Sequence, residues 1–348
     1  MDCDRNSLRM IASFILGVGV TLTLVVLYQA ANFDDQKSLE KLSFANVTGG
    51  NVSLANGSVN VTHQEPSPFQ DLAPLLREVA DDDGTIIMTS VNWAWAQQDS
   101  LLDLFLQSFQ TGENIDHFLK HLLVVAFDGL AFERCKVVHK YCYQLKVDMD
   151  FTGQQGFLTK GYIELVWAKV ELQRYILEQG CNFLFTDVDI IWFRNPFKHI
   201  TVYADMTTSS DGYIGDPDDI NNSPNTGFFY VKSSNITVQM MRYWHDARKR
   251  FPPHHEQAIF INIKQELVNS LGIKLQFVDT KYFGTFGQFS TDLNKICTMH
   301  ANACVNGLGA KLPDLKGLIA YWKNYTALPI EEKKKGLFTW SKPTNCRL

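Results

Sequence analysis

Asn182-Phe-Leu-Phe-Thr-Asp187-Val-Asp189-Ile-Ile-Trp-Phe193 opens with a short apolar run and then places two carboxylates two residues apart. A continuously apolar run of this length suits a strand covered on both faces of a sheet. The residues before it predict a helix, because Ile163, Val166, Trp167, Val170 and Leu177 share one face. Lys169, Glu171, Arg174 and Glu178 fall largely elsewhere, and Gly180 stands where a left-handed residue ends a helix. Outward from this unit the pattern repeats. Thr85–Val91 reads as a strand ending at Asn92, and Leu101, Leu102, Phe105, Leu106 and Phe109 as a helical face. His121–Phe127 is the next strand, stopping at Asp128, and Cys142–Val147 a third. Further strands are expected at Asp205–Ser209, Gly227–Val231 and Lys274–Asp279, with helices near 236–250 and 255–268. Serial strand–helix alternation predicts a doubly wound, Rossmann-like α/β domain whose ligands sit beyond the carboxyl ends of the strands. No internal repeat is evident.

Asp187 and Asp189 therefore fall where such a domain binds its ligand. Residues two apart on an extended segment point to the same side. Two carboxylates so placed form a hard oxygen site for Mg²⁺ or Mn²⁺, which completes its shell with a substrate phosphate. The bland reading is a turn with two solvated acids. A phosphatase using the first acid as nucleophile is a further reading. It is disfavoured, because that motif sits on the first strand, with Thr or Val two residues after the second acid. Here Ile191 occupies that place, and about a hundred residues of α/β pattern precede Asp187.

Composition narrows the class. With 45% hydrophobic and 20% charged residues the 348-residue chain is neither disordered nor a polytopic membrane protein. A net charge of −5 leaves no basic surplus for nucleic acid. Met10–Tyr28 carries no charge, and as a helix its 19 residues would span roughly 28 Å, close to a bilayer core. Arg5 and Arg9 precede it and Asp34 and Asp35 follow, which orients the N-terminus to the cytosol. A cleaved signal peptide ending near Ala30 and Ala31 is the competing reading. The expected organisation is a cytosolic tail at 1–9, a transmembrane signal anchor at 10–29, a luminal stem at 30–80 and a globular domain at 81–348. The stem holds four glycosylation acceptors, Asn46, Asn51, Asn56 and Asn60, each followed two residues later by Ser or Thr. Asn235 and Asn324 head two more. Downstream of the anchor lie six cysteines, 135, 142, 181, 297, 304 and 346, an even number that permits complete pairing with 15 connectivities. Zinc lacks the C-x-x-C spacing it would want.

The run Phe185-Thr-Asp-Val-Asp-Ile-Ile-Trp-Phe-Arg-Asn-Pro-Phe197 resembles the signature of the plant nucleotide-diphospho-sugar transferases of glycosyltransferase family 77, whose relatives add arabinose to extensins or xylose to rhamnogalacturonan II. Ser100–Phe105, Gly215–Asn221, Pro224–Val231, His255–Phe260 and Asp292–Cys304 extend the likeness over roughly residues 84–330. The resemblance implies a GT-A fold in one luminal domain, type II topology in the Golgi membrane and retaining transfer from a UDP-sugar. The acceptor would be a cell-wall glycan or glycoprotein, and homo- or hetero-oligomers stay open. It also implies roles. Asp187 would touch the ribose or metal, Asp189 would bind Mn²⁺, and His300 would complete the metal site. Lys311 would hold the diphosphate, although Ala310 and Leu312 depart from the family's lysine motif. Thr89 and Asn92 would cradle base and ribose. Asn225 would line the sugar site, where Gly227 lets the backbone approach closely. Glu256 and Gln257 would act near the anomeric carbon. For each there is a plainer role: turn chemistry for Thr89, Asn92 and Asn225, a helix-dipole partner for Glu256, a buried histidine, a surface lysine. A relative that kept the fold and lost turnover, binding glycans or scaffolding other proteins, is the non-enzymatic alternative.

Overall fold

The computed structural model describes residues 69–146, 159–251 and 254–347. The expected anchor, most of the expected stem and the four clustered glycosylation acceptors lie outside these residues. No helix among the described residues is long and apolar enough to cross a membrane.

In chain order the helices are α1 (Ala73–Val79), α2 (Trp93–Ala96), α3 (Leu101–Thr111), α4 (Gly129–Val138), α5 (Lys160–Glu178), α6 (Asn235–Ala247), α7 (Glu256–Leu271), α8 (Leu308–Ala327) and α9 (Ile330–Lys334). The strands are β1 (Thr85–Val91), β2 (Leu122–Ala126), β3 (Cys142–Gln144), β4 (Asn182–Thr186), β5 (Ile190–Trp192), β6 (Met206–Gly212), β7 (Ser223–Val231), β8 (Leu275–Phe277), β9 (Phe283–Thr285) and β10 (Thr298–His300). Seven strands form the main sheet in the order β3-β2-β1-β4-β7-β6-β8. Here β1 pairs in parallel with both β2 and β4, while β7 runs antiparallel to β4 and to β6. The expected α/β body is present, but its sheet is mixed. A second, three-stranded sheet in the order β5-β10-β9 was not foreseen.

Alternation along β1 explains how a nearly all-buried strand packs on both faces. Ile86 and Met88 enter one core with Phe183 and Phe185 of β4 and the inner faces of α5, α6 and α7. Ile87 and Val91 enter the other, with Leu184, Trp192 and residues of α3 and α8. Each fully buried large side chain contributes on the order of 1.5–3 kcal/mol. Gly180, at φ 84°, follows α5 in the left-handed region, as its position in the sequence predicts.

Three observations sharpen the expected organisation. The folded body begins before residue 81, since Phe69, Leu72, Leu76 and Val79 on and around α1 are buried in the first core. Lys169 is buried, not on the solvent face of α5. Pairing of the six cysteines is incomplete: Cys135 joins Cys142 and Cys304 joins Cys346, while Cys181 and Cys297 are free and buried. Burial pushes the Cys297 thiol up to about 11, which keeps it a neutral, inert core group.

Candidate active site

Because β1, β2 and β4 are parallel, the residues that follow them emerge on one edge of the sheet. At that edge Thr186 gives way to Asp187-Val188-Asp189, which carries the chain from the main sheet into β5 of the small one. Val188, Ile190 and Ile191 are all buried, so the apolar side chains lock the turn; Asp189 is buried with them, while Asp187 is half-buried. The Asp187 amide donates to the Gly227 carbonyl at 2.7 Å, tying the turn to β7.

Antiparallel pairing of β10 with β5 sets His300 opposite Ile190, and the Ala301 amide donates to the Asp189 carbonyl at 3.1 Å. The imidazole Nε2 lies 3.3 Å from Asp189 Oδ1 and 3.8 Å from Asp187 Oδ2. Lys311, in the first turn of α8, reaches the other oxygen of Asp189 with Nζ at 2.5 Å. One ligand atom from each of Asp187, Asp189 and His300 fits within 4.8 Å of the others. The structure thus unites four residues that are up to 124 positions apart in sequence, from 187 to 311.

Gly227 makes this packing feasible. A Cβ there would meet His300 Cε1 at 2.5 Å, Asp187 Oδ2 at 2.6 Å and Asn225 Oδ1 at 2.8 Å. The glycine was expected to admit the sugar to the backbone. What it demonstrably makes room for is the imidazole and the first acid.

Charge is unevenly distributed between the two acids. For Asp189, burial opposes ionisation, but Lys311 and His300 overcome it and hold its carboxyl well below the usual range. For Asp187, burial and the neighbouring Asp189 charge push the carboxyl up to about 6, against the pull of Lys169 and His300. His300 is raised despite its burial, by the charge of and hydrogen bond to Asp189. Two carboxylate oxygens and an imidazole nitrogen suit a divalent cation such as Mn²⁺. His300 Nε2 faces the two acids, while its Nδ1 is buried with no partner. The donor set fits such an ion, and Lys311 is the counter-charge already in place.

Around this cluster lie the other expected residues. The parallel register of β1 and β4 carries Thr89 to the level of Thr186; the Thr89 hydroxyl is buried and unpartnered. Asn92 precedes α2, and its carbonyl accepts from the amides of Trp95 and Ala96. Asn225 Oδ1 accepts from the Gly227 amide at 2.9 Å. Glu256, the first residue of α7, is buried and forms an ion pair with Lys169 Nζ at 3.1 Å. Burial opposes this charge too, yet Lys169 holds the carboxyl down at about 2. Gln257 Oε1 accepts from the Thr226 amide at 3.0 Å.

Sequence reasoning missed Lys169, Tyr162 and Asp211. Lys169 also sits 4.2 Å above the Phe185 ring. Burial and the charges of Glu256, Asp187 and Asp189 raise the Tyr162 hydroxyl. The available signal was Lys169 itself, three residues from Val166 on the apolar stripe, where a charge needs a buried partner.

A mixed α/β sheet thus carries paired acids, a histidine and a lysine at the edge where its parallel strands end. The sequence profile described as "Nucleotide-diphospho-sugar transferase" matches residues 117–315, more than half of the chain. The chain belongs to this family and is a glycosyltransferase. Among its relatives, Uncharacterized protein At4g15970 of Arabidopsis thaliana is 37% identical over 296 residues, covering 84% of this chain and 78% of that one. Uncharacterized protein At1g28695 of the same plant is 33% identical over 297 residues, 83% and 87% of the two chains. Arabinosyltransferase RRA2, also of Arabidopsis thaliana, is 24% identical over 145 residues, covering 35% of this chain and 33% of that one.

Proposed function

We propose that this glycosyltransferase moves a pentose, arabinose or xylose, from its UDP-sugar to a cell-wall glycan or glycoprotein, with retention of configuration and with Mn²⁺ or Mg²⁺ bound. The observation that carries the reading is the convergence of Asp187, Asp189, His300 and Lys311 at the edge where β4 ends. Distant likeness to an arabinosyltransferase supports the pentose. The fold in this reading is GT-A.

Asp187, Asp189 and His300 would hold the metal, whose part is to neutralise the diphosphate as it leaves. Lys311 then has a second task. Its ammonium, now paired with Asp189, would add a second positive charge beside the same diphosphate. Thr89 and Asn92 flank the ribose and base. Lys169 pairs with Glu256 and the Gln257 oxygen accepts from the Thr226 amide, which fixes both side chains beside the donor sugar.

Two disulfides among the described residues support an oxidising compartment, and with the apolar N-terminal segment they support a type II Golgi membrane protein with its catalytic body in the lumen. Assay of the purified protein with UDP-arabinofuranose, UDP-arabinopyranose, UDP-xylose and UDP-galactose tests the reading. Pentose donors should release UDP in Mn²⁺ and not in chelator. Binding of all four without release would instead indicate a non-catalytic glycan-binding or scaffolding relative.

A further inference from the structure

Asp211 lies near the carboxyl end of β6, where the pairing with β7 slips: Ser210 faces Pro224 and Gly212 faces Ser223, which leaves Asp211 as the extra residue. A bulge of this kind re-aims a side chain. Here it turns one carboxylate toward amides from three separate elements. Asn225 of β7 donates from Nδ2 to Oδ1 at 2.9 Å, and Asn302, two residues after β10, donates to the same oxygen at 2.6 Å. Gln257 of α7 donates from Nε2 to Oδ2 at 3.1 Å.

The far end of each amide is also occupied. Asn225 Oδ1 accepts from the Gly227 amide at 2.9 Å, Gln257 Oε1 from Thr226 at 3.0 Å, and Asn302 Oδ1 from Gly287 at 3.4 Å. Every nitrogen thus points to Asp211 and every oxygen to a backbone N–H. A carboxylate has only acceptors, so it can receive all three NH₂ groups, which no carboxamide could do.

We propose that Asp211 is a positioning residue that fixes the amide orientation of Gln257, Asn225 and Asn302, and through Asn225 seats Gly227 against Asp187 and His300. This rests on the proposed function, with Asn225 lining the sugar site and Gln257 near the anomeric carbon as the family resemblance implies. An asparagine at 211 would set NH₂ against NH₂. Relieving that clash by rotating Gln257 would break its bond from the Thr226 amide.

The opposite polarity gives the test. In the full-length protein, Asp211→Asn should lower kcat for UDP release from UDP-arabinofuranose and UDP-xylose on the order of 10²-fold, with donor KM within about threefold. Gln257→Glu alone opposes two carboxylates and should also be impaired. Added to Gln257→Glu, however, Asp211→Asn should raise kcat about tenfold, because its new amide can donate to the new carboxylate. Urea denaturation midpoints should show the same reversal of sign. If Asp211→Asn is equally harmful in both backgrounds and raises donor KM, Asp211 is a direct sugar contact and the proposal is overturned. It is overturned likewise if the variant lowers the midpoint while kcat stays intact. Should the wild-type protein release no UDP at all, the proposed function fails, and the denaturation cycle alone still decides the positioning role: reversal supports it and additivity overturns it.

Discussion

Gly227 shows how much a single missing methyl group can organise. Its absent Cβ leaves the space in which His300, Asp187 and Asn225 converge. Gly227→Ala should therefore weaken Mn²⁺ binding on the order of tenfold in a calorimetric titration. It should also destabilise the fold by about 1–3 kcal/mol through overpacking. Glu256 makes a second prediction at this scale. Its carboxyl is held at about 2 in the folded protein against an ordinary value of 4.5, because Lys169 outweighs the cost of burial. A depressed carboxylate stabilises the fold above its unfolded value and loses that contribution as pH falls toward its folded value. The stability gap between wild type and Glu256→Gln, measured by urea denaturation, should be level above pH 5 and close between 4.5 and 2. Removing the partner with Lys169→Met leaves a buried charge uncompensated and should cost about 3–5 kcal/mol.

Between secondary elements, the site depends on contacts that join the two sheets. β4 was legible because five residues of nearly continuous apolar sequence end abruptly in acids. β5, β9 and β10 were not, since three residues each are too few to show a period, and only their mutual pairing makes them strands. His300 was found by resemblance, but its opposition to Ile190 is a tertiary fact. The antiparallel direction of β7 was equally hidden, because alternation of side chains is the same whichever way a strand runs. Lys169 was misplaced for a different reason: charge normally marks the wet face of a helix, and only a buried partner 87 residues away reverses that. Past His300, the Cys304–Cys346 bond ties the loop leading to α8 to the C-terminal tail, and Asp314 on α8 accepts from the backbone amides of 344, 345 and 346. The bond spans 42 positions, against 7 for Cys135–Cys142. On chain-entropy grounds its replacement by two serines should cost about 4 kcal/mol, and that of the shorter bridge about 2 kcal/mol. Chemical denaturation of the two double variants measures the difference.

At the scale of the whole molecule, an acidic chain with a net charge of −5 has to hold a diphosphate. In the proposed function the site resolves this with acids that would recruit a cation and with Lys311 and Lys169 kept among them. In the proposed function the cluster of Asp187, Asp189, His300 and Lys311 carries metal-dependent sugar transfer. The most direct measurement is UDP release from UDP-arabinofuranose by the full-length protein and its Asp189→Ala variant, with Mn²⁺ and with chelator. Turnover by the wild type in Mn²⁺ is expected, with a loss on the order of 10³-fold both in chelator and in the variant, whose circular dichroism stays unchanged. Undiminished turnover by Asp189→Ala, or by the wild type in chelator, would contradict it.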